Sequence, residues 1–343
     1  MNINLVIIIG VALVVIYDFT NGFHDAADMI ATAIASRTMT PGTAIIIVSF
    51  FTFLGPLLGG LAVANTIGKF VKIEDVAQNI AQSIVLSAIL AAITYNLITW
   101  KLGLPSSSSN SLTSGLVGAA LFALGTNYVN WGFSELIHGE IVGFMRIIVG
   151  IIISPLAGFL VGFLIMKLCL KLLKRFSAKF KKIFIISQYF TISWLAFSHG
   201  TNDSQKGMGL IGMLLLANHT YDEFTVPTWV IILCASSITL GTMFGGWNII
   251  KTVGFGIYKV KLIHSIVNQI SAASVILSSS IIGAPTSTTQ VVTTSLMGVG
   301  AGERPKHVRW EVVKTIFKGW LYNIPTSFVL GVVFYILIFH LLK

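Results

Sequence analysis

Two carboxylates, Asp25 and Asp203, interrupt apolar runs 178 residues apart in matching contexts, Phe19-Thr20-Asn21-Gly22-Phe23-His24-Asp25 and Phe197-Ser198-His199-Gly200-Thr201-Asn202-Asp203. A carboxylate inside a long apolar segment is costly unless something neutralises it, so the chemistry to expect is cation ligation or proton binding. A second pair of motifs suits the opposite charge. Gly103-Leu104-Pro105-Ser106-Ser107-Ser108-Ser109-Asn110 returns 180 residues later as Gly283-Ala284-Pro285-Thr286-Ser287-Thr288-Thr289-Gln290. Each proline ends one helix and can open the next, which leaves first-turn amides unpaired. Those amides, the positive end of the helix and the hydroxyls that follow are donors for an anion.

Other residues carry weaker signals. Asp28 and Lys206 occupy equivalent places in the two copies and are expected either to pair or to balance the charge of a bound solute. His24 and His199 are candidate proton carriers, although a neutral, hydrogen-bonded histidine is the commoner case. Gly55, Gly59 and Gly60, which return as Gly241, Gly245 and Gly246, have the spacing of close helix packing. Cys169 and Cys234 lie in apolar segments and read as small hydrophobes, with no disulfide or metal pair between them.

The elements that must hold these groups are membrane helices. Hydrophobic residues make up 55% of the 343 and charged residues 10%, too little polar surface for a water-soluble domain. Apolar stretches such as Ala44–Ala64, Ile84–Thr99 and Ile147–Leu173 recur along the chain, and about ten to twelve membrane segments fit its length. The formal charge of +10 is concentrated at segment edges, above all Lys167, Lys171, Lys174, Arg175, Lys179, Lys181 and Lys182, so it marks cytoplasmic loops and not nucleic-acid binding. Three blocks repeated in order predict two repeats, residues 1–176 and 177–343, forming one transport domain. Five apolar units precede the central loop, an odd number, so the second copy is predicted to be inverted and both termini to lie outside. The fold expected is an all-α polytopic membrane protein with re-entrant hairpins at the two hydroxyl runs and helices broken near Gly22 and Gly200, since residues 4–35 as one helix would run ~48 Å.

The motifs resemble those of the inorganic phosphate transporter family. Gly22-Phe23-His24-Asp25-Ala26-Ala27, Phe197-Ser198-His199-Gly200-Thr201-Asn202-Asp203-Ser204-Gln205-Lys206-Gly207 and the two proline-hydroxyl runs follow its order, and the second string is similar to the low-affinity bacterial branch. The resemblance covers nearly the whole chain. It implies import of inorganic phosphate, or of a neutral metal–phosphate complex, coupled to Na⁺ or H⁺, in a plasma-membrane homodimer with no other cofactor and no catalytic residue. Carried over by position, it implies a substrate site at Ser106, Ser107, Ser108, Ser109, Asn110, Thr286, Ser287, Thr288, Thr289, Gln290 and Lys206. The cation set is Asn21, His24, Asp25, Asp28, Asn202 and Asp203, with Asp25 and Asp203 as Na⁺ ligands. Three positions depart from the family pattern: Asp28 replaces an asparagine, and Asn110 and Gln290 replace histidines.

Charge sets the coupling problem. Moving HPO₄²⁻ inward against ~100 mV costs about 4.6 kcal/mol, which two co-moving monovalent cations cancel. Asp25 and Asp203 would repel the dianion unless a cation or proton sat with them, so cations are expected to bind first, at the acids, and the anion at the hydroxyls. An intramembrane hydrolase is disfavoured because a two-fold pair of identical motifs lacks the asymmetry of a catalytic triad. A passive anion channel would show no cation dependence, and sulfate offers the same oxygens to the same donors.

Overall fold

The computed structural model describes residues 3–173, 181–245 and 251–343. Lys174, Arg175 and Lys179 of the basic loop, Gly246 and the 176/177 boundary lie outside the described residues. The described chain is helical almost throughout: α1 (Ile3–Ala35), α2 (Pro41–Leu58), α3 (Ala62–Gly68), α4 (Gln78–Leu102), α5 (Ser108–Leu124), α6 (Phe133–Ile137), α7 (Gly143–Ile148), α8 (Ser154–Leu173), α9 (Lys181–Ala217), α10 (Thr228–Phe244), α11 (Leu262–Ile281), α12 (Thr288–Glu303) and α13 (Trp310–Leu342). A π-turn at Val149–Ile153 joins α7 to α8.

Local chemistry sets the ends of the elements that matter. Thr40 accepts from Thr43 N at 3.2 Å and Pro41 follows it, so α2 starts there. Gly103, at φ 66°, ends α4 in the left-handed region. Four residues on, Ser107 caps α5 by accepting from Asn110 N at 3.1 Å, and Ser287 caps α12 by accepting from Gln290 N at 3.4 Å.

Among the described residues, six helices are long and apolar enough to cross a membrane, and Thr228–Phe244 is a shorter apolar one. Leu156, Leu160, Leu164, Leu168 and Leu172 form one outward stripe on α8, each more than half exposed, while polar residues fill the interior. That inversion of the soluble pattern is a lipid-facing surface, so the chain is a multi-pass membrane protein. The hairpin arms α5 and α12, with 17 and 16 residues, reach only ~25 Å, and the residues at their tips are buried inside the protein.

The helix breaks expected at Gly22 and Gly200 are absent. α1 and α9 run unbroken through both positions, with 33 and 37 residues. The glycines serve close approach instead: a Cβ at Gly22 would lie 2.1 Å from Ile238 O, and one at Gly200 would lie 2.2 Å from Thr52 O. The same exchange recurs one layer away, where a Cβ at Gly55 would meet Phe197 O at 2.4 Å and one at Gly241 would meet Phe19 O at 2.0 Å. Thus α1 crosses α10 while α2 crosses α9, backbone against backbone. Gly59 packs on Thr201 in the same way, but Gly60 has open space around it and is required by its φ of +78°, not by packing.

Two apolar clusters flank a polar middle. One holds Val14, Tyr17, Leu112 and Met208, and the other holds Ala27, Ile30, Leu195 and Val292. On α1 the change falls between Tyr17 and Ala27, and on α9 between Ala196 and Met208, so both acid motifs sit at the junction. Gly241→Ala forces a methyl against a carbonyl that has nowhere to move, and we expect it to lower stability by about 1–3 kcal/mol. Gly42→Ala, with nothing within 4 Å, serves as the neutral control, both read as unfolding temperatures in detergent.

Candidate functional site

Three helices supply the polar centre. α1 brings Asn21, His24, Asp25 and Asp28; α9 brings His199, Asn202, Asp203 and Lys206; the tip of α12 brings Thr288 and Thr289. All are essentially closed to solvent. His199, Asp203 and Lys206 are spaced i, i+4 and i+7 and so share one face of α9.

The two carboxylates meet across the junction. Asp25 Oδ1 accepts from Thr289 Oγ1 at 2.9 Å and lies 2.9 Å from His24 Nδ1. Asp203 Oδ1 accepts from Lys206 Nζ at 2.7 Å, and its Oδ2 accepts from Asn21 Nδ2 at 3.2 Å. The remaining oxygens face a shared hydroxyl: Thr288 Oγ1 lies 3.2 Å from Asp25 Oδ2 and 3.0 Å from Asp203 Oδ2. One hydroxyl has one proton and can donate to only one of them. His199 Nε2 stands 3.5 Å from Asp25 Oδ2 and 3.2 Å from Asp203 Oδ2. Ligand atoms of Asp25, His199 and Asp203 all fall within 4.8 Å of one another. Two full charges that close repel by about 3.5 kcal/mol at an effective dielectric near 20, so the pair is stable only with positive charge between its members.

The donor set suits a hard monovalent cation. Carboxylate and hydroxyl oxygens dominate, and the buried Asn21 Oδ1 beside them accepts no hydrogen bond. His199 Nε2 faces both carboxylates while its Nδ1 lacks a hydrogen-bond partner, so it departs from the fully satisfied case. His24 fits that case, lying 2.9 Å from Asp25 through Nδ1 and 3.4 Å from Ser106 Oγ through Nε2.

The hydroxyl runs divide by task. Ser107 and Ser287 are helix caps. Ser106 Oγ bonds Thr99 Oγ1 at 2.7 Å, and Thr286 N donates to Asn202 Oδ1 at 3.2 Å. His24 and Asn202 therefore do the same work, each pinning the turn of its own half's hairpin. Ser109 Oγ donates to Thr286 O at 2.7 Å, which ties one tip to the other. Ser108 sits buried at the first position of α5. The first amides of α5 and α12, at Ser108, Ser109, Thr288 and Thr289, have no acceptor within their own helices, so two positive helix ends point into the centre.

This geometry settles the open choice for Lys206 and revises the division between hydroxyls and acids. Lys206 does not pair with Asp28, because Asp203 lies one turn back on the same helix and captures the ammonium. Asp28 keeps both oxygens without hydrogen bonds. Hydroxyls and acids are not separate sites, since Thr288 and Thr289 bond the carboxylates directly. Asn110 and Gln290 line a cavity of about 400 Å³ walled by Ile151, Pro155, Phe159 and Trp320.

Sequence reasoning missed the groups that hold the first tip. Asn323 Nδ2 donates to Ser107 O at 2.8 Å and Asn323 Oδ1 accepts from Ser111 at 2.9 Å, while Trp320 Nε1 donates to Pro105 O at 3.0 Å. The signal was available, because an asparagine alone in an apolar helix needs a polar partner.

A lipid-facing helical bundle enclosing paired acids and two convergent helix tips defines a multi-pass membrane transport protein. Residues 21–331 match the model of the phosphate transporter family. The chain is 37% identical over 324 residues to a probable low-affinity inorganic phosphate transporter of Bacillus subtilis, covering 94% of each chain. It is 33% identical over 231 residues to the low-affinity inorganic phosphate transporter PitB of Escherichia coli, which is 62% of this chain and 46% of that one. A solved structure described as the sodium-dependent phosphate transporter superposes with a TM-score of 0.84 at 25% identity, covering 97% of this chain and 98% of that one. The chain belongs to the phosphate transporter family.

Because Lys206 is fully enclosed, Lys206→Gln leaves Asp203 uncompensated, and a loss of about 3–5 kcal/mol is expected. In double-mutant cycles on thermal stability, Lys206 should couple to Asp203 by more than ~1 kcal/mol and to Asp28 by less than ~0.5 kcal/mol.

Proposed function

We propose that the protein imports inorganic phosphate by alternating access, coupled to Na⁺ bound between Asp25 and Asp203. The observation that carries the reading is Thr288: it opens α12, whose first amides are free to hold an anion, and its hydroxyl lies between the two carboxylates. A cation seated there relieves the repulsion of the acids and frees the hydroxyl and amides to turn to the anion. Cation binding thus precedes and completes the phosphate site, and the ordering follows from electrostatics. The oxygen-rich donor set supports Na⁺, as does the structural likeness to a transporter described as sodium-dependent.

In this reading, residues 1–176 and 177–343 are inverted repeats, and the reciprocal crossing of α1 on α10 and α2 on α9 is the surface on which they rock. Both termini face out, and the loops bearing Arg37, Lys259, Lys261 and Arg309 face the cytoplasm. These four residues line one cavity of about 820 Å³.

Reconstitution in proteoliposomes, with Na⁺, pH and potential varied separately, tests the function. Radiolabelled phosphate uptake should rise with an inward Na⁺ gradient, and Thr288→Val should weaken both Na⁺ and phosphate binding by about 5- to 100-fold, the cost of one buried hydrogen bond at a charged group. Uptake indifferent to Na⁺, or a Thr288→Val protein with native affinity for both, would count against the scheme.

Topology is tested with cysteines at two exposed positions in a background free of Cys169 and Cys234. An impermeant thiol reagent should label Glu140→Cys from outside and Lys259→Cys only from inside. Labelling of both from one face would remove the inverted-repeat arrangement.

A further inference from the structure

The loops that face the cytoplasm in the proposed topology converge on one cavity of about 820 Å³, walled by the end of α1, residues 254–262 and Arg309 at the start of α13. Arg37, Lys259, Lys261 and Arg309 line it, and no carboxylate among the described residues does. Cations in the loops are the ordinary mark of this face. Their convergence on a single hollow is not, because like charges gathered without acids repel one another.

Few groups of the protein answer that charge. Arg37 and Lys259 enter no ion pair among the described residues. Lys261 Nζ lies 3.7 Å from Glu303 Oε1, while Glu303 Oε2 accepts from Tyr258 and lies 3.1 Å from His264 Nε2. Arg309 shapes the wall: its Nη1 donates to Phe255 O at 3.1 Å and its amide to Ile257 O at 3.0 Å. Arg37 sits at φ 58°, where α1 reverses through bonds from Arg37 N to Ile34 O and from Thr38 N to Ala33 O. Glycine is the usual residue for such a left-handed helix end, so this turn carries a cation where the backbone favours none.

A second cavity, of about 480 Å³, shows that the frame does not require the charge. Trp131 Nε1 donates to Thr126 O at 2.9 Å there, as Trp310 Nε1 donates to Pro305 O at 3.0 Å. Asn130 N donates to Phe70 O at 2.9 Å, as Arg309 N donates to Ile257 O. On this matching frame Asn130 stands in the place of Arg309, and the lining holds one cation, Lys72, and one acid, Glu135.

We infer that the cavity between Arg37, Lys259, Lys261 and Arg309 binds a polyanion carrying two or more phosphate groups, either a cytoplasmic solute or the headgroup of an anionic lipid. Four cations balance about two phosphate groups, each roughly −1.5 to −2 as a monoester near neutral pH. The volume lies in the range of small-molecule pockets and exceeds what one inorganic phosphate fills. Guanidinium and ammonium groups are the donors that phosphates take, and basic pockets between membrane helices on the cytoplasmic side receive lipid headgroups. Phe255, more than half exposed in the same lining, offers an apolar contact beside the charges.

The placement on the cytoplasmic face rests on the proposed topology, but binding to the purified full chain does not. With Na⁺ and inorganic phosphate saturating, so that the centre is filled, tripolyphosphate should raise the unfolding temperature in neutral detergent, with an affinity that falls as salt rises. In nanodiscs of phosphatidylcholine doped with cardiolipin, native mass spectrometry should find cardiolipin retained on the protein. Lys259→Gln and Arg37→Gly together should weaken the bound ligand about tenfold or more, the loss of charge-assisted hydrogen bonds. Arg37→Gly suits the left-handed turn, so by itself it should keep or raise the ligand-free unfolding temperature while binding falls. Lys72→Gln, in the matching cavity, should leave binding unchanged.

Retention of cardiolipin alone assigns the site to a lipid, and binding of tripolyphosphate alone assigns it to a solute. Binding of neither, or binding that the double variant leaves at native strength, would overturn the site. Labelling of Lys259→Cys from outside would instead defeat the topology and leave the binding result standing.

Discussion

Carboxylates shut away from water must find positive charge, and most of this structure is arranged around that constraint. α1 and α9 each deliver an acid to the junction between two apolar clusters, and the protein supplies only part of the compensation. Lys206 answers Asp203 from one turn away, and Asn21 and the threonines of α12 supply dipoles. No resident cation is committed to Asp25 alone, apart from what His24 and His199 carry when protonated. A site left electrically incomplete by its own residues depends on what it binds.

The close glycine crossings serve the same constraint from outside. Side chains between α1 and α10, or between α2 and α9, would hold the helices apart and widen the centre. Removing them brings backbones into contact at four points and lets Asp25 reach Thr288 and Thr289 on a helix that starts 263 residues later in the chain. Packing and chemistry are therefore not separable here, since an added methyl at a crossing would displace the acids from the hydroxyls.

Much of this was legible in the residues. Repetition of the acid, glycine and proline-hydroxyl blocks pointed to equivalent sites in two halves, and Asp25, Asp203, Thr288 and Thr289 do converge. What was not legible depended on competition between partners. Nothing in a spacing rule says whether Lys206 prefers an acid on its own helix or one across the junction, and the nearer one won. Length measured against a membrane crossed squarely predicts a break in α1 and α9, but both helices run through, and their glycines are contacts and not hinges. Asn110 and Gln290 follow the hydroxyl runs in sequence, and that they share one largely apolar-walled cavity appears only in three dimensions. Thr288 could be placed with the anion donors from sequence, while its position between two acids required three dimensions.

The lengths of the longest helices have a consequence for the surrounding lipid. α1, α9 and α13 contain 33, 37 and 33 residues, so as straight rods they measure about 50–55 Å against a hydrocarbon layer near 30 Å. Rods of that length either lean over or project into the headgroups. α1 and α9 both pass through the polar centre, so the angle at which they lean also sets how the two acids face one another. Membrane thickness is thereby a mechanical constraint on the geometry of the site, applied without any change in solute or ion.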